Sequence, residues 1–227
     1  MAKWGMVIDL KKCAGCQTCT VACKVENLVP PHILWNRVYD YETGEYPDVT
    51  RKFLPRPCMH CEDPACLAVC PTKATIQRDD GIVFIDYEKC LGCMQCEAAC
   101  PYNARVLHNA KEYYYGSSTE NEDFPSERRA SHQRHLVGTV SKCTFCAHKI
   151  DRGIAAGMKV GQDFEATPAC VVNCIAMARH FGDLNDPESE VSKLIQKRKG
   201  FRLLEELGAG PAVYYLPFRV NPTETKE

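Results

Sequence analysis

The sequence is poor in most of what marks an enzyme. It contains no Walker-type phosphate loop and no G-x-G-x-x-G fingerprint, so no nucleotide cradle is written in it. The G-x-S-x-G nucleophile elbow is missing as well. Its Asp and Glu residues show no paired arrangement of the kind that acid–base catalysis uses. No apolar run approaches the roughly 18 residues of a membrane span. Residues 1–30 lack the charged start, apolar stretch and small-residue cleavage site of a secretory leader, and Lys3 runs straight into strand-like Trp4–Asp9. The expectation is a chain with no membrane span and no signal peptide of its own. Excess charge is absent too: the formal net charge is −1, which argues against nucleic acid as a partner.

What the chain has is cysteine. There are 16 in 227 residues, and the 45% apolar share counts them; without them it falls to about 38%. A core that small needs internal staples, either disulfides or metal. The cysteines fall into four groups of four, with none left over: Cys13, Cys16, Cys19, Cys23; Cys58, Cys61, Cys66, Cys70; Cys90, Cys93, Cys96, Cys100; and Cys143, Cys146, Cys170, Cys174. Every group ends in two cysteines four residues apart, a regularity that disulfide frameworks do not require. The stretch from Cys90 to Pro101 is the bacterial ferredoxin pattern for [4Fe–4S] clusters. Zinc sites take cysteines in separated pairs, so three at two-residue spacing point to iron–sulfur. Four [4Fe–4S]2+ clusters, each held by four thiolates, would carry the net charge from −1 to about −9. The surrounding field is then acidic unless lysines and arginines lie near.

The chain reads as alternating strands and cysteine loops. Residues 4–10 form a strand leading into the first group, and residues 24–57 a polar, proline-containing connection. Thr75–Gln77 and Ile82–Asp86 flank Asp79-Asp80-Gly81, a hairpin signal. Strands are expected at 104–107, within 175–184, and at Val213–Leu216. A helix is expected from the Asp186-Pro187-Glu188 start to about Lys199, with Gly200 ending it. Residues 108–142 are an insert with Tyr113-Tyr114-Tyr115 and a basic stretch at Arg128-Arg129, read as an ordered excursion or a contact surface.

Two residues between cysteines let a tight loop aim successive thiolates inward. Gly15 and Gly92 precede the second cysteine of their groups, where backbone freedom helps; His60 and Phe145 stand there in the other two. Cysteines four apart lie on one helix face, so each helix would bridge two clusters and the groups must pair. Pro71 and Pro101 follow the last cysteine in groups two and three, whereas Lys24 and Ile175 do so in groups one and four. That shared departure points to first with fourth and second with third; first with second and third with fourth stays open. His60 and His148 lie within or beside cysteine groups, and the bland reading of packed or surface histidines competes with tuning of a cluster by a hydrogen bond.

Taken together, Gly5–Cys13, Cys58-Met-His-Cys61, Cys143-Thr-Phe-Cys146, Thr167-Pro-Ala-Cys170 and Phe181–Pro187 make residues 5–216 similar to a known family. The chain resembles the four-cluster iron–sulfur subunit of the dimethyl sulfoxide reductase (molybdopterin oxidoreductase) family. The resemblance implies an α+β fold of two ferredoxin-like units related by pseudo-twofold symmetry, with loop insertions and a C-terminal helix. Residues 1–57 with 102–216 would form the first unit, 58–101 the second, and 217–227 a tail. It implies first-with-fourth pairing and four [4Fe–4S] clusters. One is held by Cys13, Cys16, Cys19 and Cys174, and another by Cys143, Cys146, Cys170 and Cys23. The remaining two take Cys58, Cys61, Cys66 and Cys100, and Cys90, Cys93, Cys96 and Cys70.

The implied role is non-catalytic electron transfer between a large molybdopterin (molybdenum or tungsten) catalytic subunit and an integral membrane subunit that reacts with quinone. The substrate would be a sulfur, selenium or arsenic compound. A relay subunit of a formate dehydrogenase or hydrogenase is the alternative, as is a free-standing polyferredoxin. The complex would be membrane-associated, on the cytoplasmic side or co-exported to the periplasm with its catalytic subunit. Two departures stand out: 23 residues separate Cys146 from Cys170, read as a loop beside one cluster, and Ile175 replaces the proline after Cys174.

Overall fold

Trp4–Asp9 has no exposed residue, as a strand flanked on both sides must. In the computed structural model, which describes residues 1–109 and 136–218, it forms β1, the centre of a three-stranded sheet. Strand β8 (Arg179–Asp183) pairs with it antiparallel, Met6 opposite Phe181. Strand β9 (Val213–Leu216) pairs parallel on the other side. Gly5 is required here, because a Cβ would stand 2.4 Å from the Leu184 side chain and 2.8 Å from the Ala212 carbonyl oxygen. The sheet therefore joins the segment before the first cysteine group to the segment after the fourth. Trp4, Phe181 and Phe145 continue from it into the main core.

Helix α1 (Thr18–Asn27) follows the first loop and ends at Leu28 in a left-handed cap. Residues 24–57 are not merely a connection. They hold an antiparallel hairpin, β2 (Arg37–Thr43) with β3 (Thr50–Arg56). Phe53 of β3 packs where any side chain on Gly15 would go, and the Tyr215 hydroxyl donates to the Pro55 carbonyl (2.8 Å). The hairpin thus covers the first cysteine loop.

Helix α2 (Ala65–Ala68), the hairpin β4 (Thr75–Gln77) with β5 (Val83–Ile85), and α3 (Gln95–Ala98) follow in order. Gly81 turns that hairpin at φ 85°. Strand β6 (Val106–His108) pairs with β7 (Thr139–Ser141), His108 opposite Thr139, so the insert leaves and returns at one place. Tyr113–Tyr115 and Arg128-Arg129 lie outside the described residues, as do residues 219–227 of the tail.

The stretch between Cys146 and Cys170 is more regular than a loop. It opens with α4 (Ala147–Ala155), and a 3-10 turn at Phe164–Ala166 leads to α5 (Ala169–Val172). Gly153 lets Ala166 close onto α4, since a Cβ there would lie 2.3 Å from the Ala166 Cβ.

The last helix, α6, spans Glu190–Arg198, three residues later than a cap at Asp186 suggests. Asp186 instead accepts the Glu188 N–H in a local turn (2.9 Å). Ser189 is the true cap, its hydroxyl accepting the Ser192 N–H (3.2 Å). Lys199 in the left-handed region ends the helix. No helix among the described residues is long and apolar enough to cross a membrane.

Candidate metal centres

All sixteen cysteines are free thiols, and the four loops that carry them share a backbone device. The residue before each second cysteine has positive φ: Gly15 at 66°, His60 at 45°, Gly92 at 64° and Phe145 at 55°. The conformation is therefore common to all four groups even where glycine is not. At Gly92 only glycine fits, because a Cβ would sit 2.0 Å from the Gly138 carbonyl oxygen. Gly138 precedes β7, so the root of the insert braces this loop.

The helices carry their cysteines differently from the simple expectation. Only α1 contains both of its group's last two, Cys19 and Cys23. Helices α2, α3 and α5 hold Cys66, Cys96 and Cys170, and each ends before the next cysteine. The N–H groups of Cys70, Cys100 and Cys174 bond the carbonyls of Leu67, Glu97 and Val171 (3.2, 3.1 and 3.0 Å). These i→i+3 bonds tighten the last turn.

A second turn follows in each case, with Lys73, Asn103 and Met177 bonding back to that last cysteine. Ile175 thus makes the turn that Pro71 and Pro101 make. Group one alone departs, because α1 continues past Cys23. The departure that seemed common to groups one and four is not a common structure, yet α1 does pack on α5, and α2 on α3.

That packing brings the cysteines together across groups. Site A is a cavity lined by Cys13, Cys16, Cys19 and Cys174. Site D is lined by Cys70, Cys90, Cys93 and Cys96. In each, three sulfurs come from one group and the fourth from its partner.

At site B, burial pushes the Cys23 thiol well up, and Cys143, Cys146 and Cys170 beside it add to the shift. The Asn27 amide spans this site, donating to Cys23 Sγ and to Cys146 Sγ, each at 3.7 Å. At site C, burial and then the neighbouring Cys58, Cys66 and Cys100 push the Cys61 thiol up to about 12. Burial likewise raises Cys146 to about 12. Among the described residues no three His, Cys, Asp or Glu side chains converge on a point as one metal ion needs. Sulfurs set around a cavity suit a body with several metal atoms, and thiolates are the donors an iron–sulfur cubane takes. The thiol sets fit [4Fe–4S] clusters.

Exposure is graded along the sites. All four cysteines of site B are buried, whereas Cys16 of site A and Cys93 of site D are exposed. The Thr18 hydroxyl and N–H lower the Cys16 thiol below its ordinary value, the hydroxyl lying 3.3 Å from the sulfur.

Three buried cations stand among the sites, and the cysteine pattern did not name them. Arg105 donates to Cys66 Sγ (2.9 Å) and to Thr75 Oγ1 (3.1 Å), and it also lines site D. Arg179 donates to Cys170 Sγ (3.6 Å) and Asn36 Oδ1 (2.8 Å), and it also lines site A. Lys142 donates to the carbonyls of Cys143 (2.8 Å) and Val83. Burial lowers its pKa, opposed by Cys58 first among the thiols and then Cys143. The signal was available in the spacing: Arg105 and Arg179 each stand five residues past the last cysteine of their group.

His60 is buried, stacked on Phe145 with ring centroids 3.7 Å apart, and its Nδ1 accepts the Val83 N–H (3.1 Å). Burial holds it well below the usual histidine range, with Lys142 and Arg105 adding to the effect, so it is neutral. His148 pairs through Nε2 with Glu26 (2.7 Å). Both match the packed reading of these histidines.

Comparison with known proteins agrees with this chemistry. Residues 49–115, which contain groups two and three, match the model of a 4Fe-4S dicluster domain. One subunit of the selenate reductase of Mesobacillus selenatarsenatis is 44% identical, the alignment covering 94% of this chain and 72% of that protein. The iron-sulfur cluster-binding subunit of menaquinone reductase from Nitratidesulfovibrio vulgaris is 38% identical, covering 96% and 89%. One of the polypeptides of the polysulfide reductase of Wolinella succinogenes is 34% identical, covering 95% and 94%.

Proposed function

The chain is a member of the family of iron–sulfur electron-transfer subunits of respiratory oxidoreductases, and from that premise we propose that it holds four [4Fe–4S] clusters in the order A–B–C–D. Each cluster, when bound, supplies one-electron redox chemistry at a potential that its surroundings set. The crossed donor sets carry this reading: each site takes three cysteines from one group and one from another. Site A takes Cys13, Cys16, Cys19 and Cys174; site B takes Cys143, Cys146, Cys170 and Cys23. Site C takes Cys58, Cys61, Cys66 and Cys100; site D takes Cys90, Cys93, Cys96 and Cys70.

The order rests on neighbours. Cys19 raises the Cys170 thiol, after burial, which supports A beside B. Cys58 acts on Cys143 in the same way, which supports C beside B. Arg105 lies between C and D.

Two ferredoxin-like units then follow, one built on sites A and B and the other on C and D, with residues 58–101 as the second. Their pseudo-twofold relation is supported by the repeated turns and by His60 and Phe145, equivalent loop residues that stack on each other. The exposed ends, at Cys16 and Cys93, are where electrons enter and leave.

The chain works as the non-catalytic subunit of a complex. One partner is a large catalytic subunit carrying a molybdenum or tungsten pterin, acting on a selenium, sulfur or arsenic compound. The other is a membrane subunit that exchanges electrons with quinone, which places the complex at the membrane. The relatives' names, selenate and polysulfide reductase and menaquinone reductase, support both ends.

Anaerobic purification without detergent stripping tests the assignment. A stable complex with a pterin-containing large chain, whose reduction bleaches the iron–sulfur absorption of this subunit, is expected. A monomer that reduces several unrelated enzymes would overturn it in favour of a free-standing polyferredoxin.

A further inference from the structure

We propose that Arg105 and Arg179 are equivalent electrostatic couplers, each guanidinium shared by two neighbouring cluster sites and raising the reduction potential of both. The proposal rests on the donor sets above. Arg105 donates to Cys66 Sγ of site C at 2.9 Å and lines site D. Arg179 donates to Cys170 Sγ of site B at 3.6 Å and lines site A. Both are buried, at 1% and 4% exposure. Both stand five residues past the last cysteine of their group, at or near the start of the strand that follows. The second unit thus repeats the device of the first.

A guanidinium keeps its charge at every accessible pH, and burying one is costly unless a counter-charge is close. No ion pair among the described residues joins either arginine to a carboxylate; their remaining partners, Thr75 Oγ1, Asn36 Oδ1 and Met6 Sδ, are neutral. The counter-charge at hand is sulfur from two sites at once. Adding an electron makes a cluster more negative, so a fixed cation beside it favours the reduced form. Because the cation is shared, it also offsets the repulsion between two neighbouring sites when both are reduced. Hydrogen bonds to Thr75 or Asn36 alone would require none of this.

The test uses the anaerobically purified complex, with midpoint potentials read by EPR during a redox titration and iron counted per chain. Arg105→Gln is expected to lower two midpoints, those of sites C and D. Each should lose at least tenfold in its reduction equilibrium constant, about 59 mV for one electron. The other two midpoints should stay in place. Arg179→Gln should lower the other two, and Arg105→Lys and Arg179→Lys should restore most of each shift.

A shift confined to one midpoint, no shift, or a shift of all four with iron retained would overturn the proposal. Should a Gln variant lose iron, its Lys variant decides. Iron kept with both potentials near the parent's supports coupling by charge, and iron lost again shows a purely architectural role and refutes it. Fewer than four clusters in the unaltered complex would fail the four-site reading instead.

Discussion

Replacing Asn27 by leucine removes one donor from two sulfurs that come from different cysteine groups. The side chain is 1% exposed, and its amide reaches Cys23 Sγ and Cys146 Sγ at 3.7 Å each. Hydrogen bonds to charged acceptors contribute about 1.5–3 kcal/mol at good geometry. These contacts are long, so about 0.7 kcal/mol each is a fair share, about 1.4 kcal/mol for the pair. The donors favour the more negative, reduced state, so their loss should lower the midpoint of site B by up to about 59 mV for one electron. Leucine nearly matches asparagine in size, but the Asn27 amide also donates to the Cys23 carbonyl (3.0 Å). A modest loss of stability, about 1 kcal/mol, is expected alongside. An EPR-monitored titration reads the shift. One midpoint falling with iron unchanged supports a site shared by groups one and four. An unchanged or raised midpoint would refute the reasoning, as would a shift traced to the cluster of Cys13, Cys16 and Cys19.

Cys100→Ser is expected to damage the cluster of Cys58, Cys61 and Cys66 and to spare that of Cys90, Cys93 and Cys96; spectra showing the reverse would contradict crossed ligation. Gly92→Ala would put a Cβ 2.0 Å from the Gly138 oxygen at φ 64°. It should cost about 1–3 kcal/mol and lower iron occupancy at site D, read as iron per chain. Iron binding displaces thiol protons, and Cys61 and Cys146 are raised to about 12. Iron loading of the reduced full-length chain should therefore tighten as pH rises from about 7 to 9, with protons released; a loading curve flat in pH would count against buried thiolate ligands. In iron-depleted protein, Cys16, exposed and lowered by Thr18, should alkylate faster than buried Cys143, Cys146 or Cys170, as mass spectrometry of timed samples would show.

The cysteine groups were legible because ligand spacing is a local property: three thiolates must reach one object from one short loop. The strands beside the groups were legible for the same reason, Trp4–Asp9 and Val213–Leu216 being short apolar runs between polar ends. The β2–β3 hairpin was not, because Pro55 and Pro57 and its many charged residues read as a connection, and only packing on Gly15 and Tyr215 reveals its use. The start of α6 went to Asp186-Pro187 by cap chemistry, yet Asp186 spends its carboxylate on a turn and Ser189 caps instead. The pairing of groups one and four was inferred from Lys24 and Ile175, which turn out to sit in unlike structures. Group pairing depends on which helices pack, and no spacing along one chain encodes that. Arg105 and Arg179 went unread because a buried arginine looks like any other until the sulfurs around it are placed.

If the sixteen cysteines hold four clusters, iron and acid-labile sulfide counted together on the anaerobically purified complex will come to about sixteen of each per copy of this chain, over and above any held by its partners. About eight of each, or zinc in place of iron, would contradict it.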